Sequence, residues 1–246
     1  MLFYFCTNGL HQPASFADNL DMTNETTLSN EQTQDVSHSI EGKKMPITNM
    51  PTFEIEPESY CGEGSYISNT VEIRCFLTEV LKQQGVRSMI DIPCGDWNWI
   101  SLVDLSGVDY TGYDNDEGFI RDNRELYPEH RFELIDAREF TNWPRVDLIL
   151  CRDFFIHLPN QDNLRILDGF RKSGSTWLMS TSFDYLTENT DLTDEQKTVE
   201  YSRHHRMSRF VNLETAPYNL GKPTLAIREN HHVCKDQIVG LWRLND

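Results

Sequence analysis

Short apolar runs alternate with amphipathic stretches over most of the chain beyond residue 70. The run from Met89 to Ile92 is interrupted only by Asp91 and breaks at Pro93, which predicts a buried strand that ends in a tight loop. Six further runs predict strands at 108–113, 131–135, 146–150, 176–182, 225–227 and 238–244. Helical spacing predicts helices at 71–81, 117–127 and 164–172. This order of elements predicts an α/β protein with a mostly parallel sheet.

The loop after the first predicted strand holds one glycine between two carboxylates. Gly95 lets the backbone approach a ligand closely, and Asp91 and Asp96 place negative charge beside that gap. Such a loop lies at the carboxyl end of a parallel strand, where open α/β sheets bind ligands. A dinucleotide is disfavoured, because carboxylates repel a pyrophosphate and the Gly-x-Gly-x-x-Gly pattern is missing. A cofactor with a positive charge and no phosphate fits better. The aromatic segment 97–102 predicts the first turn of a helix.

The segment Asp91-Ile92-Pro93-Cys94-Gly95-Asp96 resembles the first motif, Asp/Glu-x-x-x-Gly, of class I S-adenosylmethionine-dependent methyltransferases. The resemblance extends over about residues 60–246. It implies a Rossmann-like, doubly wound, mostly parallel seven-stranded sheet with a C-terminal antiparallel hairpin. It also implies S-adenosyl-L-methionine as cofactor, which carries an ammonium, a sulfonium and ribose hydroxyls.

Asp114 follows the second predicted strand, 19 residues after Gly95. An acidic residue about 20 residues beyond the glycine loop is the expected ribose ligand, because a carboxylate accepts from both hydroxyls. The resemblance adds Asp136 as the acceptor for the adenine amine and Arg74 as a clamp for the methionine carboxylate. An exposed helix arginine is the alternative for Arg74. The predicted cofactor-binding residues are Ser65, Thr70, Arg74, Asp91, Pro93, Cys94, Gly95, Asp96, Asp114, Asn115, Asp136, Ala137, Cys151 and Arg152.

Residues 151–159 match the same family's Cys-Arg-Asp-x-x-x-His-Leu pattern, in the loop where the methyl donor meets the acceptor. Asp153 and His157 are predicted to be catalytic, with His157 as general base near neutral pH. A histidine held by backbone hydrogen bonds is the alternative. A later Arg-x-x-Asn-Leu segment also resembles the family, and its Arg209 is placed to pair an acceptor carboxylate. The predicted acceptor-binding residues are Trp97, Asn189, Asp191, Arg209, Asn212, Tyr218 and Asn219.

Composition limits the partners of this chain of 246 residues. A net charge of −17 argues against nucleic acid and against an anionic membrane surface. The six cysteines form no Cys-x-x-Cys pair, which indicates reduced thiols in the cytoplasm. The adjacent pairs His204-His205 and His231-His232 are poor chelators, so we expect no metal site.

Residues 1–51 are rich in polar side chains and poor in aliphatic ones, which predicts a disordered or loosely attached arm before a domain at 52–246. Residues 186–206 are polar and predict an insertion or lid. The sequence as a whole predicts a methyltransferase that acts on a small polar metabolite at N, O or S. A nicotinamide-dependent oxidoreductase on the same fold and a non-catalytic cofactor-binding or interaction module are the alternatives.

Overall fold

The computed structural model describes residues 56–197, 208–229 and 236–245. The arm predicted at 1–51, both histidine pairs and part of the insertion at 186–206 lie outside these ranges. Within the described ranges, no helix is both long enough and apolar enough to cross a membrane.

The described residues form one sheet of seven strands, in the order β3-β2-β1-β4-β5-β7-β6. β1 pairs in parallel with β2 and β4, β2 with β3, and β4 with β5. β7 runs antiparallel to β5 and β6. The predicted mostly parallel, doubly wound sheet with a C-terminal antiparallel hairpin is confirmed. The strands are β1 Ser88–Asp91, β2 Asp109–Asp114, β3 Arg131–Leu134, β4 Leu148–Cys151, β5 Trp177–Ser182, β6 Leu225–Arg228 and β7 Ile238–Arg243.

Three helices cover the two faces of the sheet: α1 is Val71–Gln83, α2 Glu117–Leu126 and α3 Asn160–Lys172. A short helix, α4, spans Asp194–Lys197. Successive strand residues point to opposite faces, so Met89 and Ile90 belong to two separate apolar clusters. α1 and α2 bury residues in the Met89 cluster, and α3 buries residues in the Ile90 cluster. Each amphipathic helix therefore buries its apolar stripe against one side of the sheet.

The connection from β1 to β2 departs from the prediction. In place of an α-helix, it contains turns and a single 3-10 turn at Ile100–Leu102, so the helix start predicted at 97–102 is wrong. Gly95 and Trp97 adopt left-handed φ angles of 56° and 57°, and such residues cannot continue a right-handed helix. Trp97, Trp99 and Ile100 instead pack into the Met89 cluster and cover the sheet there.

The direction of winding reverses between β1 and β4. The chain moves outward from β1 through β2 to β3, then returns to β4 on the other side of β1. The loops after these strands consequently diverge and leave a crevice at their carboxyl ends, where doubly wound sheets bind ligands.

Candidate functional site

A pocket opens at the carboxyl ends of β1, β2 and β4. Five aspartates and one arginine are among its lining residues, which gives the pocket an excess of negative charge. It brings together twelve of the residues predicted from the sequence: Ser65, Asp91, Pro93, Cys94, Gly95, Asp96, Trp97, Asp114, Asn115, Arg152, Asp153 and His157. It is also lined by Cys61, Gly64, Trp99, Asp116 and Phe119.

The glycine loop is tied to the end of β2. The backbone N–H of Gly95 donates to Asp114 Oδ2 at 2.9 Å, and the N–H of Asp116 donates to Asp114 Oδ1 at 2.9 Å. The Asn123 amide donates to the Gly95 carbonyl at 2.8 Å. Burial raises the pKa of Asp114, while these two backbone donors oppose that rise. A fixed carboxylate therefore lies at the position expected for a ribose ligand.

Residues 58–65, which we call the covering segment, lie against the glycine loop. The Ser59 hydroxyl and the Tyr60 N–H both donate to Asp96 Oδ2 at 2.8 Å. The N–H of Asp96 donates to Cys61 Sγ at 3.3 Å. Arg152 Nη2 donates to the Gly64 carbonyl at 3.0 Å, on the opposite side of the pocket. The Asp96 carboxylate thus holds the covering segment in place, in addition to lining the pocket.

Asp91 ends β1 with only 3% of its surface exposed. Tyr110 Oη donates to Asp91 Oδ2 at 2.9 Å. Burial raises the pKa of Asp91 to about 8, and the hydrogen bond from Tyr110 opposes the rise. This carboxyl is therefore poised to change its charge near neutral pH when a cation enters the pocket.

A buried ionic network joins β4 to the C-terminal hairpin. Arg152 contacts Glu229 Oε1 through Nη2 at 3.0 Å and Asp153 Oδ2 through Nη1 at 3.0 Å. Gln237 Nε2 donates to Glu229 Oε2 at 2.6 Å and to Asp153 Oδ1 at 2.9 Å. Burial works against the charged guanidinium, but Asp153 and Glu229 outweigh it and raise the pKa of Arg152. Arg152 is already paired with two carboxylates. It therefore does not neutralise the other aspartates of the pocket, and the lining keeps its excess of negative charge.

We expect Arg152→Met to destabilise the protein by about 3–5 kcal/mol, because Glu229 would remain buried without a cation. Glu229 is 0% exposed, so water cannot replace the lost partner. The matched control is Arg131→Met, which breaks a pair with Asp109 whose side chains are 64% and 68% exposed. That loss should cost about 0–1 kcal/mol. Urea unfolding of the two variants measures the difference, and similar costs would show that the buried network adds nothing.

Asp153 and His157 lie in the loop that follows β4. Asp153 has a left-handed φ of 53°, and its Oδ1 accepts from the Thr181 hydroxyl at 2.8 Å. His157 ends a 3-10 turn at Phe155–His157, and its N–H donates to the Phe154 carbonyl at 3.0 Å. A strained non-glycine backbone of this kind is concentrated at functional sites. Both side chains line the pocket as the sequence spacing anticipates.

Two of the predicted cofactor-binding residues, Thr70 and Arg74, lie outside the pocket lining. Both side chains bond to backbone carbonyls just before α1. Thr70 Oγ1 donates to the Tyr66 and Ile67 carbonyls at 3.0 and 3.2 Å. Arg74 donates from Nε to the Thr70 carbonyl at 3.2 Å and from Nη2 to the Ile67 carbonyl at 2.9 Å. Arg74 is half-buried and fixed by these contacts, so it is not the exposed helix arginine of the alternative, and its role as a clamp stays a prediction.

Asp136, Ala137 and Cys151 also lie outside the lining. Asp136 pairs with Arg138 at 2.5 Å, and this hydrogen bond holds the pKa of Asp136 below its usual value. Ala137 is 6% exposed and belongs to the Ile90 cluster. Cys151 is fully buried, and burial raises the pKa of its thiol. These side chains are engaged by the fold itself.

The predicted acceptor residues divide into two groups. Trp97 lines the pocket; the others, at 189, 191, 209, 212, 218 and 219, do not. Arg209 Nη2 donates to the Leu158 carbonyl at 2.7 Å and to Asn160 Oδ1 at 2.8 Å. Tyr218 Oη donates to the same Asn160 oxygen at 2.5 Å. Arg209 therefore braces the turn that carries His157, and its backbone N–H donates to the Ile156 carbonyl at 3.0 Å.

The amides of this region hold a rigid crossover, the alternative that the sequence left open for Asn212. Asn189 Nδ2 donates to the Asn212 and Ala216 carbonyls at 2.8 Å. Asn212 Nδ2 donates to the Leu186 carbonyl at 2.7 Å. Asp191 Oδ1 accepts from the Asn160 N–H at 2.8 Å, and exposed Asn219 has a φ of 50°.

Sequence reasoning missed Glu229, Gln237 and Thr181, which form the network around Arg152 and Asp153. Glu229 and Gln237 are distant from the motifs in sequence, and the pairing of β6 with β7 brings them against Arg152 and Asp153. Exposed and buried acids look alike in a sequence, so no local signal marked them. Among the described residues, no cluster of His, Cys, Asp and Glu has the arrangement of a metal site.

No protein-family model matches the sequence, and no curated protein matches it either. Solved structures do resemble the fold. Magnesium protoporphyrin IX methyltransferase from Synechocystis PCC 6803, with bound SAH, superposes with a TM-score of 0.51 at 13% identity, over 70% of this chain and 82% of that one. N-methyltransferase NodS from Bradyrhizobium japonicum WM9, in complex with S-adenosyl-l-homocysteine, gives 0.50 at 12% identity, over 70% and 86%. This chain therefore shares the fold of these two methyltransferases over 70% of its length.

Proposed function

We propose that this protein is an S-adenosylmethionine-dependent methyltransferase that acts on a small polar metabolite. The observation that carries the proposal is the charge of the pocket at the switch point, where five aspartates meet one arginine that is already paired. Such a lining attracts a cationic ligand and repels phosphate. The fold and the chemistry of the lining thus point to the same cofactor.

The residues at the pocket suit the parts of S-adenosylmethionine. Asp114 is fixed by the N–H groups of Gly95 and Asp116, and its remaining lone pairs suit ribose hydroxyls. Asp91 suits the methionine ammonium, since a buried carboxylate is stabilised by a cation at hydrogen-bond distance. A nicotinamide dinucleotide fits poorly, because its pyrophosphate would meet these carboxylates.

The bound cofactor would supply an electrophilic methyl group on a sulfonium. The chain's own residues then have to bind the acceptor, orient it and remove its proton. His157 lines the pocket and is our candidate to take that proton at an imidazole nitrogen. Asp153 is held by Thr181 and Gln237, so its carboxylate is preorganised to orient a polar acceptor.

We expect Asp153→Asn to raise the KM for a cationic acceptor by about tenfold or more, because a charged hydrogen bond would be replaced by a neutral one. The amide oxygen of asparagine can still accept from Thr181 and Gln237, whereas the pair with Arg152 Nη1 is lost, and urea unfolding measures the stability cost of that loss separately. Steady-state kinetics measures the split between KM and kcat. A normal KM with a lowered kcat would assign the carboxylate to the chemical step instead.

Methyl transfer from labelled S-adenosylmethionine tests the proposal directly. The full-length protein would be incubated with labelled donor and a cell extract, and the products separated by size. We expect the label in a small polar molecule. Label in protein or nucleic acid would reject the small acceptor, and no transfer with any fraction would reject the methyltransferase.

A further inference from the structure

A directional chain of hydrogen bonds ends at the Asp91 carboxyl. Trp97 Nε1 lies 2.7 Å from Tyr110 Oη, which lies 2.9 Å from Asp91 Oδ2. An indole nitrogen can only donate, so the Tyr110 oxygen accepts from Trp97. The hydroxyl proton of Tyr110 then points to Asp91 Oδ2, the only direction open to this bond once the carboxyl is ionised. All three side chains are buried, so water does not compete for these bonds.

In this arrangement the two oxygens of the Asp91 carboxyl differ. Oδ2 accepts from Tyr110, so a proton on the carboxyl is carried by Oδ1. Among the described residues, Tyr110 is the one group that bonds to the Asp91 carboxyl. Asp91 lines the pocket, so it meets the ligand with either a protonated or an ionised carboxyl.

The groups around Asp91 disfavour its charge until a cation arrives. Asp114 faces it from the end of β2 and raises its pKa, whereas Arg152, from β4, lowers it. The other titratable neighbours are Tyr110, Cys94 and Cys151, whose pKa values burial also raises. The nearest cation, Arg152, is already shared by Glu229 and Asp153. At neutral pH the carboxyl is therefore mostly protonated in the ligand-free pocket.

We propose that Asp91 loses its proton when it binds the α-ammonium of the cofactor. Tyr110 is the positioning residue, because its hydroxyl holds the Asp91 carboxyl in place. The inference rests on the proposed function and adds its proton coupling. The Oδ1 proton passes to solvent, and an ammonium N–H then donates to the ionised carboxylate. No covalent bond other than that O–H bond changes. Tyr110 favours the exchange, because its hydroxyl stabilises the ionised form.

The coupling makes cofactor affinity depend on pH in a defined direction. With a pKa of about 8 for Asp91, the ionised fraction rises about tenfold between pH 6 and pH 7. The affinity for S-adenosylhomocysteine, which keeps the α-ammonium, should rise by the same factor. An α-amino group has a pKa of about 7.7–8.0, so it stays charged over this range. A ligand without an ammonium should not show the effect.

Titration calorimetry of the full-length protein at about pH 6.5, in two buffers of different protonation enthalpy, counts the protons released. We expect about one proton for S-adenosylhomocysteine, because Asp91 is mostly protonated in the ligand-free pocket at that pH. The matched ligand is 5′-methylthioadenosine, which shares the nucleoside and the thioether but lacks the amino acid. Binding of 5′-methylthioadenosine should release almost no protons.

Two tyrosine variants separate the role of Tyr110 from general packing. Tyr110→Phe should weaken S-adenosylhomocysteine binding by about tenfold at pH 6.5 and leave 5′-methylthioadenosine binding unchanged. Tyr113→Phe is the control, because Tyr113 is on the same strand but packs against Phe140 and Trp143. It should change neither affinity.

Three outcomes would overturn parts of the account, and each is distinct. Binding of S-adenosylhomocysteine by the wild-type protein without proton release would overturn the exchange and leave the proposed function standing. An equal loss of both ligands in Tyr110→Phe would reduce Tyr110 to a structural role. Absence of any binding of S-adenosylhomocysteine and S-adenosylmethionine would reject the proposed function itself, and the exchange with it.

Discussion

Gly95→Ala should weaken binding of S-adenosylmethionine by about a hundredfold or more, a loss of about 2.7 kcal/mol. Gly95 has a φ of +56°, and a Cβ added there would lie 2.3 Å from Cys61 Sγ. The Cys61 thiol must therefore move, which disrupts the bond that it accepts from the Asp96 N–H and loosens the covering segment from the glycine loop. That shift would also strain the bond from the Gly95 N–H to Asp114. Titration calorimetry measures the affinity.

Two further variants separate the effect of the contact with Cys61 from the effect of the left-handed backbone at Gly95. Gly85 has a similar φ of +62° with nothing within 4 Å of an added Cβ, so Gly85→Ala should cost about 1–2 kcal/mol of stability and leave binding unchanged. Adding Cys61→Ala to Gly95→Ala removes the colliding sulfur and should restore part of the affinity. Full binding by Gly95→Ala alone would show that the loop does not approach the cofactor.

His157→Ala should lower turnover by about a hundredfold or more while cofactor affinity stays nearly unchanged. His157 follows β4, whereas the proposed cofactor ligands Asp91 and Asp114 end β1 and β2. Removing the imidazole should therefore affect proton transfer and leave cofactor binding intact. The measurement is kcat for the identified acceptor, alongside the affinity for S-adenosylhomocysteine.

His157→Gln tests the alternative that the histidine is structural. Glutamine can make a hydrogen bond in place of the imidazole, but it cannot take a proton near neutral pH. Turnover should remain low in this variant as well. Recovery of turnover with glutamine, or normal turnover in His157→Ala, would return His157 to a structural role.

Local patterns in the sequence were enough to predict the sheet. The strands are short apolar runs bounded by turn residues, and their ends fell within about two residues of the predictions, as is usual for strand boundaries. The connection after Gly95 was mispredicted, because the left-handed φ of Trp97 depends on how its ring packs. Its ring contacts Tyr127 with a centroid distance of 4.3 Å and Phe132 with a centroid distance of 5.5 Å. No spacing rule encodes such a contact.

The candidate site was predictable where it lies in loops directly after strands. Asp91, Asp114 and Asp153 each follow or end a recognisable strand, and parallel strands bring their carboxyl ends together. The contacts of Arg209 and Glu229 could not be predicted from the sequence, because their partners come from distant segments. Whether an arginine serves a ligand or the fold depends on which acceptors surround it.

A calorimetric titration of the full-length protein with S-adenosylmethionine and, separately, with NAD decides which cofactor the pocket binds. We expect one bound S-adenosylmethionine per chain and no binding of NAD. Asp114→Ala should weaken S-adenosylmethionine binding strongly, because the pocket would lose the carboxylate that we propose as the ribose ligand. Binding of NAD with no response to S-adenosylmethionine would contradict the account.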